Sequence, residues 1–205
     1  MVAIIDYDAG NIRSVEKAFS YLGANTVVTR DSKEILRADH VVLPGVGAFG
    51  DAMSRINEYD LKPTIMSVVD KEIPFLGICL GQQLLFDSSE ESKGVSGLGI
   101  LRGEIVSIPK TDFLGNTYKI PQIGWNSLDF PREGRLFKGI EQGAYVYFVH
   151  SYYLRAADRN IVTATTDYSV TVDASVESGN VFACQFHPEK SADVGMQILK
   201  NFLEV

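Results

Sequence analysis

The stretch PFLGICLGQQLLF, Pro74 to Phe86, sets Cys79 between Gly77 and Gly81 where an apolar run gives way to a helical pattern. A short apolar run bounded by turn residues fits a strand covered on both faces, and the leucines that follow recur at helical spacing. A strand entering a helix through G-x-C-x-G is a sharp turn that lifts the central side chain above the carboxyl edge of a sheet. At a helix N-terminus a thiol meets unpaired N–H groups and the positive end of the helix dipole, the setting in which cysteines become nucleophilic. There the backbone N–H of Leu80 would face an oxyanion formed on a substrate held by Cys79. Taken alone the motif leaves a second reading open, in which Cys79 is a small buried hydrophobe and the glycines merely punctuate the chain.

Outward from this turn, strands and helices alternate. VAIIDY reads as a strand; Ile12, Val15, Phe19 and Leu22 then recur at helical spacing, with Asn11 placed to cap the helix and Gly23 to stop it. TVVTR and DHVVLPG read as further strands, and PTIMSVVDKE as the helix before the Cys79 strand. Such β/α alternation predicts a three-layer α/β/α fold around a central, mainly parallel sheet. From about Gly94 the texture turns strand-rich, through GEIVSIPK, YKIPQIGW, AYVYFVHSYY, NIVTATT and NVFACQF. A closing helix is expected from about Asp193, with Met196, Leu199 and Leu203 on one face. With no linker or repeat between the halves, residues 1–205 are expected to form a single domain.

Composition removes several function classes. The 205 residues are 45% hydrophobic and carry a net charge of -7, without any Lys/Arg cluster, which argues against nucleic acid as a partner. No apolar run approaches the roughly 20 residues a membrane helix needs, and MVAIIDYDAG lacks the basic region of a secretory leader. A cytoplasmic location is expected. The two cysteines, Cys79 and Cys184, have neither CxxC spacing nor histidine pairing, so no metal and no cofactor are expected.

A thiol nucleophile needs a base, and VFACQFHPEKS offers one. His187 and Glu189 end a strand on either side of a proline that restricts the backbone between them. An imidazole can take the thiol proton and return it to a leaving amine, while the carboxylate orients the ring. A turn histidine with a solvated neighbour is the plain alternative. Cys184, in the same strand, reads as core. LPGVGAFG follows another strand with a backbone free to approach a ligand, either to point an N–H at an oxyanion or simply to turn; the dinucleotide and P-loop spacings are both absent. His40 and His150 read as structural.

Taken together, PGVGAFG, GICLGQQLLF and QFHPEKS resemble the class I, triad-type glutamine amidotransferases in order and separation. Within them, DYDAGNIRSVEKA, IPQIGWN and YFVHSYY are similar to the glutaminase-subunit family of imidazole glycerol phosphate synthase. The matching motifs run from Asp6 to Ser191. The resemblance implies a flavodoxin-like fold and a triad of Cys79, His187 and Glu189 that hydrolyses glutamine through a glutamyl thioester. It implies an oxyanion hole from Leu80, Val46 and Gly47, and glutamine contacts from Gly47, Gln83, Ser151 and Tyr152. It also implies transfer of ammonia to a cyclase subunit, a (β/α)8 barrel in a heterodimer, docked near Asn11, Trp125, Tyr147 and Lys190. A barrel of that kind takes about 250 residues, so the cyclase must be a separate chain. The family's PGVG loop implies a glutaminase that stays weak until the liganded cyclase turns the loop. Alternatives at this point are the glutaminase of pyridoxal phosphate synthesis, an unrelated cysteine hydrolase or redox sensor, and an idle scaffold of the same fold.

Overall fold

Strand β1 (Val2–Ile5) is apolar and buried at each position, as a strand covered on both faces must be. The computed structural model describes all 205 residues, and β1 leads into α1 (Ile12–Tyr21), β2 (Thr26–Thr29), α2 (Ser32–Ile35), β3 (His40–Gly45) and α3 (Phe49–Glu58). Next come α4 (Leu61–Asp70), β4 (Phe75–Cys79) and α5 (Leu80–Leu84). The second half supplies β5 (Ser88–Ser89), β6 (Gly103–Ser107), β7 (Gln122–Ser127), β8 (Tyr145–His150) and β9 (Tyr152–Ala156). It closes with β10 (Val162–Asp167), β11 (Thr171–Ser178), β12 (Val181–Cys184) and α6 (Ala192–Leu203).

Ten strands form one sheet in the order β2-β1-β3-β4-β12-β11-β9-β6-β5, with β10 also paired to β11. From β2 to β12 the neighbours are parallel, and from β12 to β6 they are antiparallel. Strands β7 and β8 pair separately as an antiparallel ribbon. The sheet is therefore a parallel half, as the β/α alternation predicts, continued by the strand-rich second half.

Successive strand residues face opposite ways, and the core divides accordingly. Ala3, Ile5, Val41, Leu43 and Phe75 pack beneath α3 and α4, whereas Val2, Ile4, Val42, Leu76 and Ile78 pack beneath α1 and α6. Each fully buried leucine or phenylalanine contributes about 1.5–3 kcal/mol. Phe202 of α6 meets Phe19 of α1 and Phe182 of β12 edge-on, which joins that outer layer to the sheet.

Several sequence expectations change. Helix α3 was not anticipated, nor was β11. The run AYVYFVHSYY splits at Ser151 into β8 and β9. The buried residues of α6 are Gly195, Ile198, Leu199, Asn201 and Phe202, grouped on one face by the 3.6-residue period, while Met196 and Leu203 are only partly buried. Asn11 sits at the start of α1 but makes no capping bond, because its backbone is left-handed (φ 70°) and its side chain is committed elsewhere.

This topology positions the site. Parallel strands share a carboxyl edge, where open α/β sheets bind their ligands. Strand β4 lies between β3 and β12, and the register sets Gly45 beside Cys79 and Ile78 beside Cys184. The PGVG loop and the QFHPE turn thus flank the Cys79 turn from either side.

Candidate active site

Cys79 adopts φ 55° and ψ -109°, a conformation that costs a non-glycine residue of order 1–3 kcal/mol. The flanking glycines are needed for space. A Cβ on Gly81 would lie 1.8 Å from the Leu43 carbonyl oxygen, and one on Gly77 would lie 2.8 Å from the Gly81 carbonyl oxygen. Leu80 begins α5, so its N–H has no partner within the helix. The Cys79 sulfur lies 4.0 Å from the Val149 carbonyl oxygen and 3.7 Å from Nε2 of Gln185.

His187 and Glu189 meet as the sequence predicts. Nδ1 of His187 is 2.7 Å from Oε1 of Glu189, and both side chains are buried. The opposite ring nitrogen, Nε2, is buried with no hydrogen-bond partner. Nδ2 of Asn11 donates to the same Glu189 oxygen at 2.6 Å. The turn itself is clamped: the His187 N–H donates to the Tyr147 carbonyl at 2.9 Å, the Tyr147 N–H to Oγ of Ser191 at 2.9 Å, and that hydroxyl to the His187 carbonyl at 2.6 Å.

In front of Cys79 lies a cavity of about 290 Å³. Val46, Gly47, Leu80, Gln83, Ser151 and Tyr152 all line it, which unites the expected oxyanion and glutamine contacts. Gly47 has φ +107°, and Val46 is partly exposed, its side chain resting over Gly10. Beneath the loop, the buried Tyr7 hydroxyl donates to the Pro44 carbonyl at 2.7 Å. Glu91, Pro121, Val149 and His150 complete the lining. Glu91 also accepts the Phe49 N–H at 2.7 Å.

A model of the class-I glutamine amidotransferase family matches residues 3–205. The chain belongs to the class-I glutamine amidotransferases. This amidotransferase is 54% identical over 202 residues to a Bacillus cereus (strain G9842) protein named imidazole glycerol phosphate synthase subunit HisH, covering 98% of this chain and 93% of that one. It is 49% identical over 205 residues to the protein of the same name from Geobacillus kaustophilus (strain HTA426), covering 100% and 97%. Among solved structures it resembles a glutamine amidotransferase at TM-score 0.76 and 18% identity, covering 100% of this chain and 98% of that one. It also resembles PurLQS from Thermotoga maritima at TM-score 0.75 and 20% identity, covering 99% and 97%. At those identities the likeness shows the fold.

The two histidines at the amidotransferase site are tuned in opposite directions. Burial alone would push the His187 ring down, but the neighbouring Cys79 sulfur and the Glu189 carboxylate outweigh it and hold the ring up at about 9. The sulfur acts here by proximity, since Nε2 falls short of hydrogen-bond geometry in the resting site. Burial pushes His150 down to about 4, and both its nitrogens are engaged, with the Tyr152 carbonyl at 2.8 Å and the Gln122 side chain at 2.9 Å. A neutral ring with no free nitrogen is structural, as its sequence context suggests. His40 stacks edge-on against Phe202, away from the cavity.

The residues expected at a partner face divide. Trp125 is exposed on β7, its ring 6.1 Å from that of Tyr147 across the ribbon, and Lys190 is exposed beside the triad turn. Asn11 instead turns its amide inward to Glu189. Asn11 in this position, Glu91 and Gln185 are the site features that the sequence reading missed.

Proposed function

We propose that this amidotransferase is the glutaminase subunit of imidazole glycerol phosphate synthase, releasing ammonia for a separate cyclase chain. The observation that carries the reading is the strained Cys79 at the mouth of a cavity large enough for one amino acid, with Nε2 of the Glu189-paired His187 uncommitted behind it. The two relatives, matched over nearly their full lengths, support the choice of synthase.

Cys79 attacks the side-chain amide carbon of glutamine. The developing oxyanion falls to the Leu80 N–H and to the backbone around Val46 and Gly47, where fixed donors lower the barrier by a few kcal/mol each. His187 passes its proton to the departing ammonia, and Glu189, steadied by Asn11, keeps the ring oriented. Water then attacks the glutamyl thioester, and glutamate leaves. Gln83, Ser151, Tyr152 and Gly47 hold the amino-acid end of the substrate, and the Glu91 carboxylate is the cavity's natural partner for its ammonium group.

The ammonia passes to a (β/α)8-barrel cyclase docked on the face formed by Trp125, Tyr147 and Lys190. What supports this is an exposed apolar side of the β7–β8 ribbon, with Ile123, Trp125 and Tyr145 outward while Val146, Phe148 and His150 are buried. The flexible glycines of PGVG suit a loop that reorients its N–H when that partner binds its own ligand.

The test is to combine the chain with the cyclase and its ribonucleotide substrate, supply glutamine, and follow glutamate and imidazole glycerol phosphate. Cys79→Ala should abolish both products from glutamine and leave synthesis from ammonium salt intact. Glutamate release that survives the substitution would remove Cys79 from the mechanism.

A further inference from the structure

Gln185 stands two residues before His187, is fully buried, and contacts both the Cys79 sulfur and Gln83. We infer that its side-chain amide is a catalytic hydrogen-bond donor to Sγ of Cys79, holding the sulfur while it carries negative charge and tying it to the substrate-contacting Gln83. This rests on the reading of Cys79 as the nucleophile.

The direction of the bond follows from its neighbours, because the two ends of a glutamine amide are told apart only by their partners. The Tyr152 main-chain carbonyl can only accept, so the Gln83 group 3.2 Å from it is the NH2. That same Nε2 stands 2.9 Å from the Gln185 side chain, which must therefore present its oxygen there. The amide then has one orientation left, with its NH2 toward Sγ at 3.7 Å. A buried NH2 that lost the sulfur would lack a partner in a place without solvent, so the arrangement holds itself in this sense.

An N–H aimed at sulfur acts most strongly where the sulfur is an anion. In the first step the C–S bond forms, the C–N bond breaks, and ammonia leaves with the proton carried by His187. In the second, His187 takes a proton from the water that adds to the thioester carbon, the C–S bond breaks, and its electron pair returns to Sγ. Gln185 stabilises the sulfur before the first step and as the leaving group of the second, whereas the thioester sulfur between them is a poor acceptor. Because Gln83 lines the cavity and bonds to Gln185, a ligand that moves Gln83 is felt at the sulfur through one side chain.

The test uses the full chain with its cyclase partner. Gln185→Met keeps the bulk and removes the donor; Gln185→Glu keeps the shape and puts a carboxylate against the sulfur. Alkylation by iodoacetamide, mapped to Cys79 by peptide mass, should shift toward higher pH by about one unit in the first variant and further in the second, with kcat for glutamate release lowered roughly tenfold or more. A purely structural role would leave the alkylation profile of Gln185→Met unmoved, and a folded Gln185→Met with the wild-type profile would overturn the inference; a carboxylate at 185 repels the thiolate whatever the glutamine does, so the Gln185→Glu shift only shows that the position faces the sulfur. Should Gln185→Met fail to fold, the side-chain amide resonance of Gln185 in 15N-glutamine-labelled protein decides: it should move on Cys79→Ala, and an unmoved resonance overturns the inference equally. Cys79→Ala that still released glutamate would instead sink the nucleophile assignment, a failure these measurements keep separate.

Discussion

Asn11 and His187 converge on one oxygen: Oε1 of Glu189 receives the Asn11 amide at 2.6 Å and faces the His187 ring at 2.7 Å, while Oε2 is buried without a partner. The carboxylate is thus held from two sides, by residues 178 and two positions away in the chain. The left-handed backbone at Asn11 aims the side chain at the triad and forgoes the capping bond a helix start normally gains. Asn11→Ala should therefore lower kcat for glutamate release roughly tenfold with little change in KM, by freeing Glu189 and with it the ring. Asn11→Asp should cost more, since it sets a second carboxylate against the first. Steady-state kinetics of the complex checks both, and equal activity in Asn11→Asp and wild type would contradict the arrangement.

The opposed tuning of His187 and His150 predicts how stability responds to pH. His187 in the folded chain titrates at about 9 against 6.5 for an ordinary histidine. Its contribution is complete below pH 6.5, where both states carry the proton, and is lost as pH rises toward about 9. Over that window the unfolded chain binds fewer protons, so stability falls by up to about 1.4 kcal/mol per pH unit. His150 does the reverse, since its folded value of about 4 lets the unfolded chain bind more protons between there and 6.5, and stability falls as pH drops. Urea unfolding at a series of pH values should show an alkaline decline that His187→Gln flattens.

Glycines at the site serve two different needs. At Gly81 the need is space, because a Cβ would lie 1.8 Å from the Leu43 carbonyl, which belongs to the sheet and cannot yield. Gly81→Ala should destabilise the chain by several kcal/mol or prevent folding. At Gly47 a Cβ meets nothing, and the need is the backbone angle of +107°. Gly47→Ala should leave the fold stable to within about 1–2 kcal/mol and reduce glutaminase turnover, because it biases the loop proposed to supply the oxyanion donor. Thermal melts and glutamate release measured on the same two variants separate the needs.

How much of this was legible in the sequence depends on whether the signal was local. The turn at Cys79 was, because strand, glycine spacing and helix all lie within thirteen residues. Helix α3 was legible too but passed over: Phe49, Ala52, Met53 and Ile56 are spaced for one buried face. Strand β11 was hidden by its own polar residues. Asp173 and Ser175 break the apolar pattern, yet both are buried, Asp173 bonded to Arg159 and the Ala156 N–H and Ser175 to the Ala183 carbonyl. Asn11 looked like a helix cap because an asparagine before an amphipathic run is one by default, and only the tertiary fold brings Glu189 to it. Gln185 had one available cue: in an extended chain it shares a face with His187, two residues on.

The ribbon of β7 and β8 carries the last prediction. Its outward side presents Ile123, Trp125 and Tyr145 at 62%, 52% and 58% exposure, an apolar patch of the kind that marks an interaction surface. Its backbone is also fastened to the triad turn, with Tyr147 bonded through its carbonyl to His187 and through its N–H to Ser191. A cyclase seated on this face would press on the strand that positions the base. Trp125→Ala should weaken binding of the cyclase by about 10- to 100-fold, the loss expected of a central aromatic anchor, while the melting temperature of the free chain stays near wild type. Tyr21→Ser, at a still more exposed aromatic on the far end of α1, should leave affinity unchanged. Calorimetric titration of the two variants gives the answer: equal affinities would move the partner to another face, and weaker binding by Trp125→Ala alone would place it on the ribbon that holds His187.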